Sequence, residues 1–158
     1  MSEPDGTKTW PDLAGRLIRD AEGSRHVLPV RVYFEDTDFS GLVYHGSYVR
    51  WCERGRSDFL RLLGNDHRAL DAGATGREPA AFVVRRMQLE FLKPARIDDI
   101  LEVETRVKEI GAAALRLAQA VSREGVRLVE AEVMVVLVSR SGKPQRLGRM
   151  MREALARS

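Results

Sequence analysis

Alternating hydrophobic and polar positions predict five strands along the chain. The first alternation begins at Val30, where Val30, Val32 and Phe34 are separated by more polar neighbours, as expected of a strand with one buried face. Four further segments have a strand-like pattern, and they cover residues 81–92, 101–108, 113–123 and 126–139. The turns between the last three are short, which predicts antiparallel hairpins.

A helical period separates the first predicted strand from the second. Apolar or small residues recur there at three- and four-residue spacing: Tyr48, Cys52, Gly55, Phe59 and Leu63. This pattern predicts a helix that is capped by Ser47 and ends near Leu63, before Gly64 and Asn65. Gly55 on the buried stripe indicates that another element, most simply a sheet, approaches the helix closely.

The order β-α-β-β-β-β predicts the α+β class. One long helix then buries its stripe against one face of a five-stranded antiparallel sheet. We assign residues 26–146 to this domain, residues 1–25 to an N-terminal leader and residues 147–158 to a C-terminal tail helix. Short helices are further expected over Asp12–Ala21 and His67–Ala72.

Composition and charge favour a cytoplasmic protein that binds a small anionic ligand. Cys52 is the single cysteine, which agrees with a reducing compartment and allows neither an internal disulfide nor a Cys-based metal site. The N-terminus has no apolar signal core, and no apolar run approaches the ~20 residues that span a bilayer. The net charge of +3 comes from scattered arginines, which suits a small anionic ligand better than a nucleic acid.

The candidate reactive residues lie between the first strand and the helix. Asp36 and Asp38 are carboxylates on a loop, His45 precedes the predicted helix, and Gly41 and Gly46 permit close backbone approach. N–H groups at a helix start can polarise a carbonyl, while a carboxylate acts as a general base or a nucleophile. The pattern is therefore suited to acyl transfer, although an aspartate-rich loop that only caps the helix is an alternative.

The segment RVYFEDTDFSGLVYHGSYVRWCERGR, residues 31–56, resembles the 4-hydroxybenzoyl-CoA thioesterase family. It is closest to the acyl-CoA thioesterases encoded with the bacterial Tol–Pal envelope system, and the resemblance covers about residues 28–145. It implies the hotdog fold, a curved sheet wrapped around one long helix. It further implies that Asp38 is catalytic, that the N–H groups at His45 and Gly46 bind the oxyanion, and that the His45 side chain assists beside Tyr44.

The resemblance also implies the substrate and the assembly. We expect hydrolysis of acyl-CoA, or of acyl-carrier-protein thioesters, without cofactor or metal. We also expect a homodimer or homotetramer in which a partner chain completes each site, which agrees with apolar residues such as Val136 and Val138 on the second sheet face. The hairpin of residues 111–114 lacks the basic residues that some relatives place near the CoA phosphates. Phosphate contacts are therefore expected from other basic side chains: Arg140, Lys143 and Arg146, or Arg85 and Arg86.

Other residues near this segment have structural interpretations. Asp36 is expected to bind loop N–H groups, Cys52 and Trp51 to pack, and Glu53 to pair with Arg50 or Arg56. His26 and His67 are expected in loops without a role. The acyl pocket is expected to depend on a further set of apolar side chains: Phe39, Leu60, Leu63, Phe82 and Met87.

Two other functions remain open from the residues. A hydratase or dehydratase would use a His/Asp or His/Glu pair, and a non-catalytic acyl-binding or scaffold protein would bind acyl-CoA without releasing thiol. The contiguous Val43-Tyr44-His45 at the helix start favours the thioesterase.

Overall fold

A computed structural model describes residues 15–64 and 78–158 of the chain. It contains six strands, two α-helices and one 3-10 turn: β1 Arg16–Asp20, β2 Gly23–Arg31, the 3-10 turn Phe34–Asp36, α1 His45–Leu62, β3 Ala80–Phe91, β4 Ile100–Ile110, β5 Ala114–Arg123, β6 Val126–Ser139 and α2 Arg149–Arg157. Leader residues 1–14 and the helix expected over His67–Ala72 lie outside this description.

The strands form one antiparallel sheet in the order β1-β2-β4-β5-β6-β3. The predicted α+β class and the hairpins that connect β4, β5 and β6 are confirmed. The predicted number of five strands is wrong because β1 adds a sixth. Residues 16–20 pair with β2 as an exposed edge strand, so the expected helix is absent there and the sheet begins before residue 26.

The first predicted strand ends earlier than its alternation suggests. Val32 is fully buried, but Phe34 is 81% exposed and begins the 3-10 turn. The carboxylate of Asp36 causes this turn, since its Oδ2 accepts the N–H of Tyr33 at 2.8 Å. The turn directs the chain away from the sheet and towards the start of α1.

Helix α1 lies against the inner face of β2, β4 and β5. A Cβ added at Gly55 would lie 3.0 Å from Val103 Cγ1 and 3.2 Å from Thr105 Oγ1, which confirms the predicted close approach to a sheet. The cap differs from the prediction, because α1 begins after Tyr44. Ser47 is instead buried in the first turn, where its hydroxyl donates to the Asp36 carbonyl at 3.0 Å.

The C-terminal helix covers an interior strand of the sheet, whereas the edge strand β3 is partly exposed. Helix α2 lies where the sequence predicts a C-terminal helix, and it packs against β4 with Met151 and Leu155 buried. Strand β3 is a long edge whose Val83, Val84 and Phe91 are between 43% and 50% exposed. Among the described helices, none is long and apolar enough to cross a membrane.

Candidate active site

A tight turn holds Asp38 beside the start of α1. The Gly41 N–H donates to the Asp38 carbonyl at 3.0 Å, and the Asp38 N–H donates to the Leu42 carbonyl at 2.9 Å. Gly41 closes the turn with φ of +82°, a conformation that other residues adopt only with strain. Thr37 pairs with Val43 across the turn, so the chain folds back and brings Asp38 to the helix start.

The Asp38 carboxylate has one occupied and one available oxygen. Its Oδ1 accepts the Ser40 hydroxyl at 2.5 Å and the Ser40 N–H at 2.8 Å. Its Oδ2 accepts no hydrogen bond from any residue in 15–64 or 78–158. The Ser40 hydroxyl, followed by the Ser40 N–H, lowers the pKa of Asp38; slight burial opposes them, and nearby His45 adds to the lowering. Asp38 is therefore an ionised carboxylate at neutral pH, and its Oδ2 has no hydrogen-bond donor among the described residues.

Removal of the Ser40 hydroxyl should raise the pKa of Asp38. The Ser40→Ala variant loses the largest stabilising contact of the carboxylate, so protonation should occur at higher pH than in the wild type. A carbon-13 NMR titration of the Asp38 carboxyl measures this directly. The control is Thr37→Ala, which removes a hydroxyl that donates to the Phe34 carbonyl instead. Identical Asp38 titrations in wild type and Ser40→Ala would contradict the assignment.

The start of α1 presents two N–H donors. Asp36 organises this turn, because its carbonyl accepts the Tyr44 N–H at 2.9 Å and the Ser47 hydroxyl. The Ser47 N–H in turn donates to the Tyr44 carbonyl at 2.9 Å. The N–H groups of His45 and Gly46 have no intrahelical partner at this position, and no other acceptor in the described chain occupies them. A developing oxyanion would meet both donors and the positive end of the helix dipole.

Aromatic side chains surround these donors. The rings of Tyr44 and His45 lie 4.4 Å apart, and His45 meets Phe91 edge-on at 6.3 Å. A Cβ added at Gly46 would come within 2.5 Å of Tyr44 Cε1. Glycine at position 46 therefore leaves room for the Tyr44 ring, and the structure brings together the predicted residues Asp38, Tyr44, His45 and Gly46.

A connection after β3 fixes the loop from the other side. The Val43 N–H donates to the Ala95 carbonyl at 3.0 Å, and the Ala95 N–H donates to the Tyr48 hydroxyl at 3.1 Å. Ala95 is fully buried. No pattern in the sequence indicates this contact, because it uses the backbone groups of an alanine, whose side chain carries no chemical signal.

Other residues near the loop play structural parts. Cys52 is fully buried, which raises the pKa of its thiol to about 11, so it is inert at neutral pH. The expected pairing of Glu53 with Arg50 or Arg56 is wrong. Glu53 accepts the Ser57 hydroxyl at 2.6 Å, while Arg50 lies 3.8 Å from Asp36. Ser57 lies one helical turn from Glu53, and Asp36 stands next to the first turn of α1.

The expected phosphate ligands are remote from Asp38 within one chain. Three exposed basic residues follow the end of β6, where Ser139 pairs with Ala80; they are Arg140, Lys143 and Arg146. The reactive loop lies at the opposite end of β3, beside Phe91. At about 3.3 Å per residue, the two ends of β3 are roughly 35 Å apart. Arg85 and Arg86 are exposed in the middle of β3, so they are also separate from the loop.

A partly enclosed apolar cavity lies between α1 and the sheet. Its volume is about 100 Å³, and its lining includes two of the residues expected in the acyl pocket, Leu60 and Phe82. Phe39 is fully exposed at the tip of the loop instead. Arg56 also lines the cavity, whereas the sequence suggested only an ion-pair role for it.

A buried histidine was also missed. The prediction that His26 lies in a loop is wrong, since it belongs to β2 and is fully buried. Its Nε2 lies 2.6 Å from Asp58 Oδ2. No group of three or more His, Cys, Asp and Glu side chains within residues 15–64 and 78–158 is arranged to hold a metal ion.

Comparison with known proteins places this geometry in a family context. A model of the thioesterase superfamily matches residues 40–130. The chain is 46% identical to the acyl-CoA thioester hydrolase YbgC of Escherichia coli O6:H1. The 111 aligned residues cover 70% of this chain and 79% of the relative. The chain is 38% identical over 110 residues to the acyl-CoA thioesterase YbgC of Haemophilus influenzae, with 70% and 78% covered. The crystal structure of a probable thioesterase from Bartonella henselae is similar with a TM-score of 0.76 at 42% identity, over 78% of this chain and 99% of that one.

Proposed function

The chain belongs to the thioesterase superfamily, and from this premise we propose that it hydrolyses acyl-CoA thioesters at the loop that carries Asp38. The family match and the two YbgC relatives, which are named as acyl-CoA thioesterases, support the reaction. Two observations support the site: Asp38 Oδ2 accepts no hydrogen bond from the described residues, and no described acceptor occupies the N–H groups of His45 and Gly46 at the start of α1. A carboxylate and an oxyanion site are the two groups that thioester hydrolysis requires, because the thiolate leaves readily.

The proposed mechanism divides the reaction between these groups. Asp38 Oδ2 either takes a proton from the attacking water or attacks the thioester carbonyl itself. The negative charge that develops on the carbonyl oxygen is stabilised by the N–H groups of His45 and Gly46. The His45 ring lies against Tyr44 and Phe91, so it lines the site where the thioester must lie. Collapse of the adduct breaks the C–S bond and releases CoA as thiolate. If Asp38 acts as the base, the acyl group leaves directly as the free acid; if Asp38 is the nucleophile, a water molecule then hydrolyses the acyl-Asp38 anhydride to free acid and carboxylate.

Thiol release tests the proposal. Acyl-CoA substrates of increasing chain length, together with one aromatic acyl-CoA, are incubated with the purified protein and a thiol-reactive dye. Enzyme-dependent release supports hydrolysis. Water addition to an enoyl-CoA without thiol release would indicate a hydratase, and tight acyl-CoA binding without either reaction would indicate a binding protein. Acyl-carrier-protein thioesters are the second substrate form to assay.

We also propose that the enzyme is a homo-oligomer in the cytoplasm. Within the described residues, β3 is an edge strand with no neighbour on one side, and its Val83 and Val84 are exposed, so it is a template for strand pairing with a second copy. Antiparallel pairing of two β3 strands about their middle would place Phe91 of one chain near Ala80 of the other. The basic residues that follow β6 would then approach the Asp38 loop of the partner. The single unpaired Cys52 agrees with a reducing compartment.

Mixing two inactive variants should restore activity if sites are shared in this way. One variant is Asp38→Asn, and the other replaces Arg140, Lys143 and Arg146 with glutamine. After co-refolding, each mixed dimer should contain one site with both sets of native residues and therefore turn over acyl-CoA. Light scattering checks that the wild type is larger than a monomer. A monomeric wild type, or a mixture no more active than the sum of its parts, would contradict the shared site.

A further inference from the structure

Arg56 places a positive charge at the wall of an apolar cavity. Its side chain is 8% exposed. The cavity is otherwise lined mostly by apolar residues of α1, β3 and β5: Phe59, Leu60, Phe82, Val84, Leu115 and Leu117. A charged group in such surroundings costs free energy unless an opposite charge or a set of hydrogen-bond acceptors compensates it.

A buried network holds the guanidinium in place without neutralising it. Arg56 donates from NH1 to Gln119 Oε1 at 2.9 Å. The Gln119 amide is fixed in turn, since its Nε2 donates to the Cys52 carbonyl at 2.9 Å and to Thr105 Oγ1 at 2.8 Å. No carboxylate within residues 15–64 and 78–158 forms an ion pair with Arg56. Burial accordingly lowers the pKa of Arg56, and nearby Cys52 and Glu53 oppose this lowering.

Glu53 is the carboxylate among the residues that line the cavity, and it makes a hydrogen bond within its own helix. Glu53 lies on the exposed side of α1 and accepts the Ser57 hydroxyl at 2.6 Å. The buried part of the wall is therefore positive. The volume of about 100 Å³ equals the share of roughly three water molecules, so it accommodates a carboxylate with one or two methylenes rather than a long chain.

We propose that Arg56 binds a carboxylate at the far end of the acyl group, so that the enzyme prefers thioesters of dicarboxylic acids to those of plain fatty acids of equal length. The inference rests on the proposed thioesterase function. The geometry favours it because a guanidinium can bind a carboxylate through two parallel hydrogen bonds. Phe82 and Val84 place the cavity at the end of β3 that the proposed strand pairing brings to the partner's reactive loop.

Matched substrates test the preference in the wild-type enzyme. Glutaryl-, adipyl- and suberyl-CoA are compared with pentanoyl-, hexanoyl- and octanoyl-CoA by thiol release, after subtraction of the enzyme-free rate. At one or more lengths, kcat/KM should be higher for the carboxylate-ended substrate by about tenfold or more. Turnover of the methyl-ended substrates without such a preference at any length would overturn the inference alone. No turnover of any thioester would overturn the proposed function as well.

Substitution of Arg56 identifies the residue responsible. Arg56→Met keeps an apolar side chain of similar length, so it should lower kcat/KM for the preferred dicarboxylic substrate by about tenfold or more. The loss should appear mainly in KM, because the contact is remote from the reacting carbonyl. The methyl-ended substrate should change by less than about threefold. Arg54→Met, which changes an exposed arginine of the same helix, should leave the ratio between substrates unchanged.

Two outcomes contradict the role of Arg56. The first is an equal fall for both substrate types in Arg56→Met, which would indicate a general structural effect. The second is an unchanged preference in a folded variant. If Arg56→Met does not fold, the matched wild-type substrates still decide whether the preference exists.

Discussion

Replacement of Asp38 by asparagine should lower kcat for acyl-CoA hydrolysis by about 10²- to 10⁴-fold, the range expected when a general base is removed. Asparagine has nearly the same shape, and its carbonyl oxygen can still accept the Ser40 hydroxyl and N–H that hold Asp38 Oδ1. The variant therefore removes the negative charge and the basic Oδ2 while the turn is preserved. Thiol release measures the effect.

The same variant should fold and bind substrate almost normally. Asp38 is exposed, and substitutions at such positions usually change the free energy of unfolding by no more than about 0.5 kcal/mol. Affinity for acyl-CoA, measured by calorimetry, should also remain close to that of the wild type. A folded Asp38→Asn enzyme with wild-type kcat would exclude Asp38 as base and as nucleophile.

Asp36→Asn is the matched control, because it makes the same change two positions away. Asp36 is 7% exposed, and its Oδ2 accepts the Tyr33 N–H. We expect this variant to lose about 1 kcal/mol of stability and to retain most of its turnover. Comparison of the two variants should thus show a chemical role for Asp38 and a structural role for Asp36.

Much of the sheet and the helix could be predicted because burial of one face imposes a period on the sequence. In β4, Leu101 and Val103 are fully buried and alternate with exposed neighbours, so a period of two appears. Strand β1 gives no such signal, because all its residues are exposed and its backbone pairing with β2 leaves the side chains unconstrained. Leu17 and Ile18 then suggested a helix at a position where the chain forms an edge strand.

In the candidate site, too, the residues that are close in the sequence could be predicted and the distant contacts could not. Asp38, His45 and Gly46 are close in the sequence, so a local motif was enough to group them. The network around Arg56 joins it to Gln119, 63 positions along the chain, and no local spacing indicates such a contact. The basic residues after β6 are remote from Asp38 in one chain, so their role depends on an assembly that no pattern within one chain specifies.

The buried pair of His26 and Asp58 is the second place where one substitution should have a large effect. Asp58 is 6% exposed, and its Oδ2 accepts both His26 Nε2 and the Gly15 N–H at 2.6 Å. His26 Nδ1 is buried and has no hydrogen-bond partner within the described residues. Asp58 is therefore the acceptor that connects α1 to β2 and to the residue before β1.

Asp58→Ala should lower the free energy of unfolding by about 3 kcal/mol, because it leaves the His26 ring and the Gly15 N–H buried without an acceptor. For a chain of this size, the melting temperature should fall by about 10 °C. Asp58→Asn, which keeps one acceptor oxygen, should cost about 1 kcal/mol. Turnover per folded molecule should persist in both variants, since Asp58 lies near the end of α1 opposite to His45.

A double-mutant cycle separates the pair from its surroundings. His26→Phe keeps an aromatic ring beside Phe59, which lies 5.7 Å from the His26 ring. If the contact between His26 and Asp58 stabilises the fold, the loss of stability in His26→Phe/Asp58→Ala should be smaller than the sum of the single losses by about 1 kcal/mol or more. Chemical denaturation of the four proteins measures this difference. Additive losses would mean that Asp58 stabilises the protein through the Gly15 N–H, and that the imidazole contributes only its volume to the core.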